Sequence, residues 1–174
     1  HYPLRRQRQM CIRDRIGLWA DSQLGRSILK GKQPKTVEEF RRMVPLTTYE
    51  DYADVLLLKR DDMLPEKPLI WIQTTWEGGR HPVKLAPYTR GMLDTFRDNV
   101  VACELLCTSR AKGQFKTRPH DKILYGLAPL PYATGLLPVT LSEAVSIDFL
   151  PPVEEAVDMT FSQRNKAGFK LAMK

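Results

Sequence analysis

The chain has 174 residues, 43% hydrophobic and 27% charged, with 27 Lys+Arg against 20 Asp+Glu for a formal net charge of +7. That length fits one domain or part of one, and no apolar run approaches the ~18–20 residues that cross a bilayer. His81 and His120 stand far apart and isolated, so no Cys/His cluster has the spacing of a metal site.

The basic excess is concentrated at the start, where RRQRQMCIRDR (residues 5–15) holds five arginines. Clustered Arg releases counterions from phosphates and would give salt-dependent nucleic-acid affinity. A mitochondrial presequence would also be Arg-rich and poor in acids. Neither accounts for MCIRDR, which has no amphipathic face, no serine and an Asp in the middle. The DNA string ATG TGT ATA AGA GAC AG, a transposase mosaic end, encodes Met-Cys-Ile-Arg-Asp and then an Arg codon completed by any purine. The adaptor string before it, CGT CGG CAG CGT CAG, encodes Arg5-Arg6-Gln7-Arg8-Gln9. Residues 1–15 are therefore read as adaptor-derived and not native, and fold reasoning starts at Ile16. Without them 22 Lys+Arg face 19 Asp+Glu, a net of +3, which is ordinary and places a nucleic-acid-binding module a distant third among the readings. Cys11 leaves with the adaptor. Cys103 and Cys107 then read as small core residues in a reducing compartment. An adaptor at one end also implies that residues 16–174 are a piece of a longer protein.

From Ile16 the pattern alternates helix and strand signals. Leu18, Trp19, Leu24, Ile28 and Leu29 make a helical stripe over 17–30. Thr36 with Glu39 makes a capping box for a short helix containing Val37 and Phe40, and Thr47 with Glu50 repeats the device ahead of Tyr52, Val55 and Leu56. Asp61 and Asp62 read as an exposed turn at that helix end. PEKPLIWIQTT is a strand, WEGGRHP a Gly-rich turn, and VKLAPY a second strand. Thr89 caps the longest helix, about 90–110, with Met92, Leu93, Phe96, Val100, Cys103 and Cys107 at three- and four-residue steps. DKILYGLAPLPYATGLLPV is a strand running into a Pro/Gly-rich loop. Thr140 and Glu143 box the start of another helix, and residues 151–174 are helical in pieces. There are no internal repeats and no low-complexity linkers. The alternation argues for an α/β layered architecture.

Only the unit LIWIQTTWEGGRHPVKLAPYT is chemically suggestive. It combines the hydroxyls of Thr74 and Thr75, the glycines Gly78 and Gly79, and the cations Arg80 and Lys84. A glycine-containing loop lets backbone N–H groups approach an anion, and hydroxyls with a Lys complete a phosphate cradle. The alternative is a β-hairpin whose glycines satisfy positive φ angles. The GxxxxGK[ST] spacing of a Walker loop is absent. His81 reads as a turn histidine, and of Trp71 and Trp76 one is expected in the core.

VEEFRRMVPLTTYEDYADVL resembles the segment that precedes the phosphate loop in the auxin-responsive acyl-acid amido synthetase family of the adenylate-forming superfamily. Thr74-Thr75, then WEGGRHPV, then Lys84-Leu85-Ala86-Pro87 follow that family's order of a small-residue loop ending in a Lys-Leu-x-Pro run and a helix. ILYGLAPLPYATGLLP is similar to the stretch after the first long helix. The resemblance spans nearly all of residues 30–174, and VPLTTYEDY is its most specific part.

The resemblance implies an α/β fold: an incomplete N-terminal part of an adenylate-forming large domain, with helices packed on a partial mixed sheet. It implies ATP with Mg2+, a carboxylic-acid substrate activated as acyl-AMP, and an amine or thiol acceptor. It implies no nucleic-acid or membrane partner, a cytoplasmic location, and a piece that is inactive alone. Lys84, Arg80 and loop N–H groups would steady the triphosphate, with Thr74 and Thr75 offering hydroxyls. The family loop is rich in Ser, Thr and Gly, whereas this chain has Trp76 and Glu77 there. A carboxylate beside a triphosphate is repulsive unless it holds the metal or points away, so a non-catalytic protein with a decayed nucleotide loop is the alternative.

Overall fold

The computed structural model describes residues 2–74 and 80–174, with side chains from residue 12 onward. The chain divides into two compact units, His1–Pro68 and Leu69–Lys174.

The first unit is helical among its described residues. Helices α1 (Tyr2–Asp21) and α2 (Gln23–Leu29) meet at Ser22. The stripe over 17–30 predicts one helix, but Ser22 breaks it. Its backbone is extended, its Oγ accepts from the Gly25 N–H at 2.9 Å, and its hydroxyl donates to the Trp19 carbonyl at 2.6 Å. A short hydroxyl side chain offers the backbone an alternative to the helical ladder, and here that alternative wins. The turn presses α2 so close that a Cβ on Gly25 would lie 1.9 Å from the Trp19 carbonyl oxygen. Ile16, Ala20, Leu24 and Leu29 are buried in this unit, while Leu18 of the expected stripe is exposed. Helix α1 continues through the residues before Ile16. Among the described side chains, however, Ile16 is the first buried one, and Ile12 is 46% exposed. Ile12 and Arg15 do border an apolar groove with Trp19, Phe40 and Tyr52.

In α3 (Val37–Met43) the Thr36 hydroxyl accepts from the Glu39 N–H at 3.1 Å, as the capping pattern predicts. The reciprocal bond goes one residue early, from the Lys35 N–H to Glu39 at 2.7 Å. Phe40 meets Trp19 edge to face at 5.7 Å. The second box is displaced: Asp51, not Glu50, accepts from the Thr48 N–H at 2.7 Å, over a 3-10 turn at Tyr49–Asp51 that precedes α4 (Ala53–Leu57). The sequence carries both Thr-x-x-acid pairs. Thr47 is withdrawn from the first by its 2.5 Å hydrogen bond with the Tyr52 hydroxyl. Asp61 and Asp62 form a 3-10 turn with Met63, and Asp62 pairs with Arg60 at 2.7 Å.

The second unit is α/β. Strands β1 (Ile70–Gln73) and β2 (Leu85–Tyr88) pair antiparallel, Ile70 opposite Tyr88 and Gln73 opposite Leu85. Helix α5 (Arg90–Thr108) follows, capped by Thr89. Strand β3 (Asp121–Leu124) pairs in parallel with β4 (Ile147–Leu150) through a crossover containing α6 (Leu136–Ser142). Strand β1 is also tied to the loop that follows β3, where the Gln73 N–H donates to the Pro131 carbonyl at 2.8 Å. Helices α7 (Val153–Ala156) and α8 (Phe161–Ala172) complete the unit. Its core is Tyr125, Leu141, Phe149 and Ala156, against which Val100, Val101, Ile123, Leu137 and Ile147 pack.

Three expectations are corrected here. Cys103 and Cys107 are exposed. The face of α5 that packs on the core is centred on Val100 and Val101; of the expected stripe Leu93, Phe96 and Val100 are half-buried, while Met92, Cys103 and Cys107 are turned outward. Thr140 does not start a helix. It lies within α6, where its hydroxyl donates to the Leu136 carbonyl at 2.8 Å, and Glu143 falls at the helix end. After Ser142 the expected helix gives way to a turn, and Ile147 opens strand β4.

Candidate functional site

The hairpin places the candidate loop at the Gln73–Leu85 end of the β1–β2 ladder. Ile72 is fully buried and anchors β1, with Trp71 and Gln73 half-buried on either side. Thr74 closes the neck: its N–H donates to the Lys84 carbonyl at 2.9 Å, and its hydroxyl reaches the same oxygen at 3.4 Å. Thr74 and Lys84, ten residues apart in sequence, therefore stand opposite each other. Thr75, Gly78 and Gly79 lie outside the described residues, as do Trp76 and Glu77. Arg80 is exposed on the return limb, and His81 and Lys84 are half-buried.

Helix α5 starts just beyond the other end of the ladder, where Tyr88 faces Ile70. Four residues of strand separate its N-terminus from the loop, roughly 13 Å at about 3.4 Å per residue. Among the described residues, no three His, Cys, Asp or Glu side chains gather in a way that could hold a metal ion.

Two polar side chains elsewhere in the unit escaped the sequence reading. Arg164 on α8 is 6% exposed and Tyr125, just after β3, is 2% exposed. In sequence Arg164 sits in SQRNKAGF and looks like an ordinary solvated helix cation. Only the packing of α8 buries it.

The second unit is α/β, with two antiparallel strands leading into a long helix. No protein-family model and no curated protein matches the chain. Among solved structures its fold is similar to that of AtGH3.15 acyl acid amido synthetase in complex with 2,4-DB, with a TM-score of 0.59 and 17% sequence identity. The match covers 90% of this chain and 29% of that one, so this chain spans less than a third of that enzyme's length. Among the described residues no helix is long and apolar enough to cross a membrane.

Proposed function

We propose that residues 16–174 are the N-terminal part of a larger acyl-adenylating domain. The complete enzyme activates a carboxylic acid by attack of a carboxylate oxygen on the α-phosphate of ATP, releasing pyrophosphate. The acyl group then passes from AMP to an amine or thiol. The observation that carries this reading is the fold likeness over nine-tenths of the chain, joined to a Thr-Thr…Lys-Leu-Ala-Pro order carried on a hairpin. Lys84 and Arg80 would oppose the triphosphate charge, and loop N–H groups would donate hydrogen bonds to its oxygens. The Thr74 hydroxyl reaches the Lys84 carbonyl at 3.4 Å, so a phosphate would compete with that contact for it. Mg2+ would offset phosphate charge, but the described residues supply no ligand set for it, and no step is assigned to it. Residues 1–15 stand outside this reading as adaptor-derived sequence, and a cytoplasmic location goes with it.

Exposed apolar side chains support the partial-domain reading. Leu69 on the hairpin, Leu124, Leu127 and Leu130 after β3, and Val157, Phe161, Phe169 and Met173 along the last helices are all more than a third exposed. Such residues cluster where a layer lacks its partner. In this reading the 174-residue chain does not catalyse alone.

Glu77 favours a second reading, a non-catalytic relative whose loop no longer holds nucleotide. Glu77→Thr separates the two. Raised ATP affinity by calorimetry would mark Glu77 as a lesion in a decayed loop. Lost ATP binding would make it a working, metal-directed group.

A further inference from the structure

The loop between α5 and β3 carries a charge pattern that the rest of the chain lacks. Residues 16–174 hold 22 Lys+Arg against 19 Asp+Glu. Residues 110–122, RAKGQFKTRPHDK, hold five of those cations and one of those acids, which leaves 17 against 18 elsewhere in 16–174. The positive excess of this part of the chain is therefore confined to one loop.

That loop is held at its neck and exposed at its tip. At the neck the Thr108 and Thr117 hydroxyls are hydrogen-bonded at 2.9 Å, and the His120 N–H donates to the Ser146 carbonyl at 2.7 Å. At the tip the Gln114 N–H donates to the Ala111 carbonyl at 3.0 Å, across Gly113 at φ +79°, where glycine is favoured. Residues 110–116 are all exposed, Phe115 by 65%. Among the described residues none of the five cations, Arg110, Lys112, Lys116, Arg118 and Lys122, forms an ion pair. The nearby acids are engaged: Asp121 accepts from the Arg118 N–H at 2.7 Å, and Asp148 lies 3.1 Å from the His120 ring.

We propose that this loop is a peripheral docking site for an anionic lipid bilayer, with Phe115 entering the headgroup region and the flanking cations facing lipid phosphates and carboxylates. Cations near an anionic membrane surface each add a modest attraction, and an apolar side chain seated in the interface adds to it. A single-stranded nucleic acid calls instead for a cationic groove with several stacking rings. Here one ring stands on a stretch exposed at every residue, which suits a flat surface. Docking of this kind needs no membrane-crossing helix. The family resemblance implies no membrane partner, so the loop would be this chain's own addition, and it does not rest on the adenylation reading.

The test is co-sedimentation of the full chain with vesicles of phosphatidylcholine, alone or with roughly one part in three phosphatidylserine. The arginines before Ile16 would also adsorb to anionic lipid. The reference protein therefore carries Arg5→Gln, Arg6→Gln, Arg8→Gln, Arg13→Gln and Arg15→Gln together. It is expected to sediment with the anionic vesicles and not with phosphatidylcholine alone. Lys112→Gln with Lys116→Gln is expected to weaken that binding roughly tenfold or more. Phe115→Ala, which leaves the charge untouched, is expected to weaken it about three- to tenfold. All three side chains are exposed, and circular dichroism checks that each variant folds. No sedimentation of the reference protein, equal sedimentation with both vesicles, or unchanged binding in Phe115→Ala would each overturn the proposal. A uridylate oligomer that binds the reference protein and loses affinity in Phe115→Ala, while the vesicles lose none, would give the loop to nucleic acid instead.

Discussion

Tyr125 is the residue whose environment speaks most clearly. Its phenol pKa is raised, first by desolvation and against a smaller opposing pull from Arg164. A raised folded-state pKa means that the folded chain holds this proton more tightly than the unfolded chain does. The associated stability is present below the unfolded value, about 10, and is lost as pH climbs from there through the folded value. The urea midpoint is therefore expected to fall as the pH climbs above about 10, and to fall less in Tyr125→Phe. An equal fall in both proteins would show that the phenol does not titrate late. This residue also marks the limit of what the sequence disclosed. Thr74 and Lys84 were legible because the strands around them are bounded by Pro, Gly and β-branched residues. Arg164 and Tyr125 were not, because a cation on an amphipathic helix carries no mark of whether its face is covered. Cys103 and Cys107 failed for the same reason in reverse: their spacing puts them on one helix face, but spacing does not say which face packs.

At the scale of elements, capping chemistry was the most reliable signal and its register the least. Thr36 and Thr89 each cap the helix that follows them, as expected, and Thr160, which the sequence reading passed over, caps α8. At Thr47 and Thr48 two overlapping Thr-x-x-acid pairs compete, and a hydrogen bond to Tyr52 decides between them. Thr140–Glu143 has the same letters but lies at the end of α6, because Thr140 bonds back to Leu136 and the next apolar run goes to β4. The α8 box is complete, with Gln163 accepting from the Thr160 N–H at 2.8 Å and the Thr160 hydroxyl accepting from the Gln163 N–H at 3.3 Å. Thr160→Ala is expected to cost about 1 kcal/mol in chemical denaturation, and an unchanged midpoint would show that α8 does not depend on its cap. Gly25 gives a prediction of unusual sign. Glycine to alanine inside a helix ordinarily stabilises by ~0.5–1 kcal/mol, but here the added methyl meets a backbone carbonyl. Gly25→Ala should destabilise by about 1–3 kcal/mol, and a gain in stability would mean that α1 and α2 are not held this close.

At the scale of the whole molecule, the α/β class was legible because strand and helix periods alternate from PEKPLIWIQTT onward. The division at Pro68 was not, since no linker-like composition marks it. Side chains before Ile16 that can be described are exposed. Deleting residues 1–15 is expected to move Tm by less than about 2 °C, since surface changes stay within about 0.5 kcal/mol. A larger loss would make the segment part of the fold and end the adaptor reading.

The central claim is that the Thr74–Lys84 loop serves adenylation in a longer enzyme, and acid-dependent ATP–pyrophosphate exchange by the full open reading frame containing residues 16–174 tests it most directly. The account predicts exchange with a carboxylic acid present, and a fall of roughly 10- to 100-fold in Lys84→Ala, the equivalent of losing a charge-assisted contact of ~1.5–3 kcal/mol. Exchange that is unchanged by Lys84→Ala would remove that residue from the site, and no exchange with any acid would contradict the enzyme reading itself.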